Sequence, residues 1–259
     1  MGVVYEARCQ ADGARVAVKT ILPAVKPSEV MLGRFLREAR ILRDLDHPNI
    51  VRFRDLNQAG KHLFFAMDFV EGIDAEKMLH QQGPLPVSLA VQLTCQLLDA
   101  LNYAHVRGFV HRDIKPSNLL VTQEAGRPVA KLADFGLART YQASQLSGLT
   151  MTGSKGGTAA FMPPEQVLDF RSVKPAADQY AAAAALYHLL TGRCLYDKAE
   201  STADLMMRIL QSNPVPLRSR RPDLPAALTA AVDRGLARNV ADRFPDVTAF
   251  QKALTPFLA

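Results

Sequence analysis

The sequence predicts an α+β chain in two unequal parts, a small β-rich N-terminal lobe and a larger, mainly α-helical C-terminal lobe. Three observations carry this. Up to about residue 66 the apolar pattern reads strand, strand, helix, strand, strand. After about residue 75 apolar residues recur at helical spacing, with short strands only near 110–133. Between these regions VEGIDA (70–75) breaks both patterns around Gly72, and reads as a linker between lobes.

The elements follow in order. MGVVYEA (1–7) reads as a strand, because Val3, Val4 and Tyr5 suit a pleated surface. ARVAVKTIL (14–22) alternates through Val16, Val18 and Ile21, and the ADG turn at 11–13 pairs the two runs. SEVMLGRFLREARILRDLD (28–46) reads as a helix capped by Ser28, with Met31, Phe35, Leu42 and Leu45 on one stripe. Glu38 falls on the same stripe, where a carboxylate needs a partner or an exit to solvent. VRFRDLNQ (51–58) and HLFFAMDFV (62–70) complete the strands. A long helix follows from Ser88 to Arg107, with Leu93, Leu97, Leu101 and Ala104 inward and Gly108 ending it. Later helices are expected near 178–191, 202–211, 225–238 and 246–254. Residues 139–163 are rich in Ser, Thr and Gly and lack periodicity, the mark of a functional or mobile loop.

Composition narrows the class. In 259 residues, 48% are hydrophobic and 22% charged, which places the chain among folded globular proteins rather than disordered ones. The net charge of +6 raises nucleic-acid binding. However, the arginines at 34, 37, 40 and 43 follow one helical pattern and RSRR (218–221) is short; neither is interleaved with aromatics. Solvated helix faces and an anionic substrate or nucleotide explain the charge better. Cys9, Cys95 and Cys194 are odd in number and far apart, which argues against a disulfide framework or zinc site and for a reducing, cytoplasmic setting. The most apolar run, AAAAALYHLL (181–190), is well short of the roughly 20 residues that span a bilayer.

The residues that carry chemistry are concentrated in FVHRDIKPSNLLV (109–121) and KLADFGLAR (131–139). Two short strands are expected to flank a polar loop holding Asp113, Lys115 and Asn118, and Asp134 falls at a strand end before Gly136. Asn118 and Asp134 offer hard oxygen ligands that suit Mg2+, which shares its coordination with substrate phosphates. Asp113 is then free to orient a hydroxyl and accept its proton, and Lys115 to neutralise a phosphoryl group in transfer.

HRDIKPSN, DFG and VAVK (16–19), followed in order by GTAAFMPPEQ (157–166), ADQYAAAAALYHLLTG (177–192) and ADRF (241–244), resemble the eukaryotic-like, Hanks-type serine/threonine protein kinases of bacteria. The resemblance covers essentially the whole chain. It implies a protein-kinase-like two-lobed fold, with residues 1–69 as the N-terminal lobe and 70–259 as the C-terminal lobe. ATP and Mg2+ would bind between them, for γ-phosphoryl transfer to Ser or Thr hydroxyls of proteins. By the same resemblance Lys19 holds the α- and β-phosphates with Glu38 as its helix partner. Ala17, Met67 and Leu120 line the adenine pocket, and the backbone of Asp68 and Val70 hydrogen-bonds the base. Asp113 is the base, Lys115 the γ-phosphate contact, and Asn118 and Asp134 the metal ligands. Glu165 and Arg243 form a buried ion pair, and Asp178 ties the catalytic-loop backbone.

Lys115 two residues after Asp113 is the serine/threonine pattern, and Thr158 matches the threonine of the substrate-facing loop. The GT…PPE segment favours a protein substrate over that of a small-molecule phosphotransferase. Arg112 calls for an anionic partner, which autophosphorylation at Thr150, Thr152 or Ser154 would supply, between two copies of the chain if it dimerises. Nucleic acid and a membrane segment are not expected.

Gly2 and Val4 match the last glycine and the valine of the glycine-rich pattern GxGxxGxV. Its first strand and first two glycines have no counterpart here. The expectation is an artificial start to an active kinase, because Lys19, Asp113, Asn118 and Asp134 are all kept. The alternative is a shortened nucleotide-binding pseudokinase or scaffold. Two departures are smaller: PPE stands where APE is commoner, and the central helix is unusually rich in alanine.

Overall fold

The computed structural model describes residues 3–21, 43–59, 62–134, 159–170, 172–197 and 199–258. Strands β1 (Val4–Arg8), β2 (Arg15–Ile21), β3 (Phe53–Ala59) and β4 (His62–Asp68) form an antiparallel sheet in the order β1-β2-β4-β3. β1 and β2 are joined by the expected turn, where Gly13 adopts φ 70°. The register sets Val4 opposite Lys19, and Ala17 opposite Met67. Side chains alternate along a strand and directly paired residues share a face, so Val4, Ala17, Lys19 and Met67 line one face of this sheet. Gly2, Glu38 and nearly all of the predicted 28–46 helix lie outside the described residues, as do Thr150, Thr152, Ser154 and Thr158.

A second antiparallel sheet, β5 (Ile73–Asp74), β6 (Leu119–Glu124) and β7 (Arg127–Leu132), lies against the helices. β6 and β7 are joined through Ala125 and Gly126 at φ 49° and 74°, the paired positive values that match a tight hairpin to strand twist. The end of β7 is stitched to the segment that leads into β3. The Leu132 amide donates to the Asn49 carbonyl at 2.8 Å, and the Val51 amide donates to the Leu132 carbonyl at 2.9 Å. Gly72 makes the linker possible: at φ 151°, a Cβ there would come within 2.1 Å of the Val121 carbonyl oxygen.

The helices are α1 (Ala75–Gln82), α2 (Val87–Val106), α3 (Pro164–Leu168), α4 (Pro175–Thr191), α5 (Thr202–Gln211), α6 (Leu217–Arg220), α7 (Ala226–Gly235) and α8 (Val247–Leu254). α2 ends as expected, with Gly108 at φ 76°. α4 explains its alanines. Its residues 177–190 are all buried, so it has no solvent face and packs on every side. Small side chains permit that close approach; a Cβ on Gly235 of α7 would sit 2.9 Å from the Ala183 Cβ.

One expected element is absent. Residues 109–115 form no strand before the polar loop, and only β6 follows it. Their amides are used elsewhere: Phe109 donates to the Ala104 carbonyl at 2.9 Å, and His111 and Arg112 donate to the Asp178 carboxylate. The amides of Phe109, His111 and Arg112 are thereby not available to a ladder.

Candidate active site between the lobes

The loop 111–118 is shaped by side chains. Asp178, 1% exposed at the start of α4, accepts from the amides of His111 (2.7 Å) and Arg112 (2.8 Å). His105 holds the same carboxylate at 2.8 Å. Burial pushes the His111 imidazole below its ordinary pKa, so the ring is neutral. Its contacts assign the tautomer: Nε2–H donates to the Ala133 carbonyl at 3.1 Å, and Nδ1 accepts from the Asp113 amide at 3.3 Å. Arg112 takes a left-handed φ of 66°, uncommon for a non-glycine residue, which turns the chain just before Asp113.

Asp113, Lys115 and Asn118 come together as one cluster. Lys115 Nζ lies 3.1 Å from Asp113 Oδ2, and Asn118 Nδ2 donates to the Asp113 carbonyl at 2.8 Å and to Oδ2 at 3.2 Å. Pro116–Asn118 is a 3-10 turn, closed by the Asn118 amide on the Lys115 carbonyl at 3.0 Å. Asn118 is 5% exposed, and its carbonyl accepts from the Ala133 amide at 2.9 Å, which sets it beside the end of β7. With its amide nitrogen committed to Asp113, the side chain has its oxygen left for a cation.

Asp134 follows two residues after β7, at φ 60°. From the other lobe Lys19 reaches its Oδ2 at 2.5 Å. The two side chains are 17% and 29% exposed, so the pair sits at the mouth of the cleft rather than in the core. The donor set fits a hard cation shared with phosphates: a carboxylate from Asp134, an amide oxygen from Asn118 and a lysine poised for anionic oxygens. Among the described residues no group of three or more His, Cys, Asp or Glu is arranged to hold a metal ion.

The residues expected to line an adenine pocket lie on the shared face of the first sheet and on β6. Leu120 alternates with the buried Leu119 and Val121, and so points to the opposite face of β6. The Asp68 amide donates to the Arg52 carbonyl at 2.9 Å. Val70 uses its amide in no backbone–backbone hydrogen bond among the described residues.

Within the C-terminal lobe, Arg243 is bidentate to Glu165, at 2.7 and 2.9 Å; the arginine is fully buried but the Glu165 side chain is 31% exposed, so the expected buried pair is buried on one side only. Gln166, next to Glu165, is 4% exposed and donates Nε2–H to the Arg112 carbonyl at 2.7 Å. Sequence reasoning assigned no role to Gln166 or His105. The nearest signal for Gln166 was its place beside the glutamate of the PPE run.

Comparison with known proteins agrees with this geometry. The chain matches the protein kinase domain family over residues 1–253. It is 38% identical over 232 residues to serine/threonine-protein kinase PkaA of Streptomyces coelicolor, a match that covers 89% of this chain and 41% of that protein. It is 35% identical over 260 residues to serine/threonine-protein kinase Pkn1 of Myxococcus xanthus, covering 100% of this chain and 37% of that protein. The chain therefore spans well under half the length of these relatives. Among solved structures it is similar to the kinase domain of Mycobacterium tuberculosis PknI, with a TM-score of 0.77 and 30% identity over 100% of this chain and 91% of that one. No described helix is long and apolar enough to cross a membrane. A small antiparallel sheet lobe, a helical lobe, and the HRD loop and Asp134 where they meet agree with the family match, and the chain belongs to the protein kinase domain family.

Proposed function

We propose that this chain transfers the γ-phosphoryl group of ATP to Ser or Thr hydroxyls of protein substrates, with its lobes divided at residues 69 and 70. The observation that carries the reading is the cluster of Asp113, Lys115 and Asn118 facing the Lys19–Asp134 pair across the cleft. Asp113 orients the substrate hydroxyl and accepts its proton as the hydroxyl oxygen bonds to the γ-phosphorus and the bond to the β,γ-bridging oxygen breaks, releasing ADP. Lys115 neutralises charge on the transferring group. Lys19 binds the α- and β-phosphates, with Glu38 as its partner outside the described residues. Asn118 and Asp134 hold Mg2+, which when bound neutralises phosphate charge. Ala17, Met67, Leu120, Val4 and Gly2 enclose the nucleotide, and the backbone of Asp68 and Val70 reads the adenine.

The activation loop supplies a second part. Arg112 has a buried Nε without a hydrogen-bond partner among the described residues, which supports its role as the receiver of an anionic group. Autophosphorylation at Thr150, Thr152 or Ser154, between two copies of the chain, supplies one.

The test is the intact mass of the chain, and of Asp113→Asn, after incubation with Mg2+ and ATP. Phosphate gained by the first and not the second is the expected result. No gain in either, with nucleotide still bound, would instead make the chain a nucleotide-binding scaffold.

A further inference from the structure

The backbone from the His111 amide to the Asp113 carbonyl is held by side chains reaching in from separate elements. Asp178 takes the amides of His111 and Arg112, His111 Nδ1 takes the Asp113 amide, and Asn118 takes the Asp113 carbonyl. Of the two carbonyls that remain in this stretch, that of Arg112 accepts from Gln166 Nε2–H at 2.7 Å.

That carbonyl has a particular leverage. It shares one rigid peptide plane with the Asp113 amide, so its direction sets the plane from which the Asp113 side chain projects. On the other side of that plane the chain turns through Arg112 at φ 66°, a conformation that persists only when its surroundings over-determine it. The other tether on the same plane, from the Asp113 amide to His111, is longer at 3.3 Å. Gln166 also has a firm base. It is buried in α3 beside Glu165, which is clamped by both terminal nitrogens of Arg243. A leucine or methionine would fill the same volume without the cost of burying an amide.

We propose that Gln166 is a positioning residue for phosphoryl transfer. By fixing the Arg112–Asp113 peptide plane it aims the Asp113 carboxylate at the substrate hydroxyl, and it links the orientation of α3 to that of the catalytic loop. The inference rests on the reading of Asp113 as the proton acceptor.

The experiment compares steady-state phosphorylation of casein by the whole chain, Gln166→Met and Gln166→Glu. Gln166→Met removes the donor at similar volume. It should lower kcat about ten-fold or more, since a small misplacement of a reacting group from a distant change can cost about 100-fold, while the KM for ATP stays within about two-fold. Gln166→Glu gives a signature that packing alone would not. Protonated, its carboxyl donates to the Arg112 carbonyl; ionised, it faces that oxygen with a like charge. Burial raises the pKa of such a carboxyl. The kcat of Gln166→Glu relative to the parent chain should therefore rise on acidification, while the ratio for Gln166→Met stays flat.

A kcat for Gln166→Met within about two-fold of the parent, the size of a difference under 0.5 kcal/mol, overturns the proposal. So does a pH-independent ratio for Gln166→Glu, which is read within one folded protein even if Gln166→Met fails to fold. Asp113→Asn separates the two levels. If it is inactive while Gln166→Met is normal, only this inference falls. If Asp113→Asn is as active as the parent, or the parent transfers nothing, the reading of Asp113 falls and takes this inference with it.

Discussion

Two regions of the molecule each hold an ion pair, and they are built in opposite ways. In the helical lobe, the Arg243 side chain is 0% exposed, while its partner Glu165 is 31% exposed. It donates twice to Glu165 and once each to the carbonyls of Ala237 (2.8 Å), Ala176 (2.9 Å) and Arg238 (3.3 Å). A guanidinium has five N–H groups, and each has an acceptor here. In the cleft, Lys19 meets Asp134 through a single contact between partly exposed groups on different lobes. The first pair is over-determined, and no ligand could displace it without stranding buried carbonyls. The second can trade its partner for phosphate oxygens or a metal ion at little cost. Burial of the cation and the number of its supporting contacts, more than distance, separate a pair that holds the fold from one that serves the chemistry.

The largest effect is expected where this contrast is sharpest. Arg243→Met should cost about 3–5 kcal/mol in urea unfolding, because it leaves Glu165 and three carbonyls facing an apolar side chain. A loss below about 1 kcal/mol, typical of an exposed pair, would erase the distinction. Lys19→Met should behave in the converse way. Phosphoryl transfer should fall about 10²–10³-fold, the usual consequence of losing one preorganised charge contact. Its unfolding free energy should stay within about 1 kcal/mol of the parent, as for other partly exposed pairs. A Lys19→Met chain that transfers phosphate normally would place Lys19 with the structural residues instead.

The same contrast explains what could be read from the sequence. Asp113, Lys115 and Asn118 are close along the chain, so their chemistry was legible before any fold was known. Their cluster needs only one loop and a 3-10 turn. The strands of the first sheet were legible through alternation, as was the break at Gly72. Gln166 was not, because its partner lies 54 positions away and the contact exists only once α3 packs beside the catalytic loop. His105, 73 positions from Asp178, was hidden for the same reason. The strand expected before Asp113 failed because a buried carboxylate captured its amides, a competition that no local pattern records. The alanines of α4 had no amphipathic period to read, since that helix has no exposed face.

A smaller effect tests the linker between the two regions. Gly72→Ala would set a Cβ within 2.1 Å of the Val121 carbonyl oxygen, at a φ that side chains disfavour. The backbone must shift, at about 1–3 kcal/mol by analogy with other strained conformations. Because Val70 lies two residues away, thermal stability and ATP affinity should fall together. Loss of stability alone would mean that the linker strain is absorbed before it reaches the nucleotide side.

The smallest effect concerns a pair of intermediate construction. His188 of α4, 8% exposed, meets Glu76 of α1 at 3.3 Å. Burial pushes the imidazole down, but the Cys194 thiol, the Glu76 carboxylate and the Arg193 backbone outweigh it and raise His188 to about 10. The hydrogen bond from His188 in turn holds Glu76 below its ordinary value of 4.5. The signs are opposite. The raised His188 contributes stability that is fully present below its ordinary 6.5 and lost as the pH climbs through about 10. The lowered Glu76 contributes above 4.5 and loses its contribution as the pH falls through its folded value. Glu76→Gln should therefore cost about 1 kcal/mol, the worth of one hydrogen bond, between those ordinary values. The difference in Tm from the parent should shrink towards zero at strongly alkaline pH, where His188 has lost its charge. A difference that does not vary with pH would mean that this pair contributes packing without charge, and that only full burial with every donor matched, as at Arg243, makes an ion pair structural in this protein.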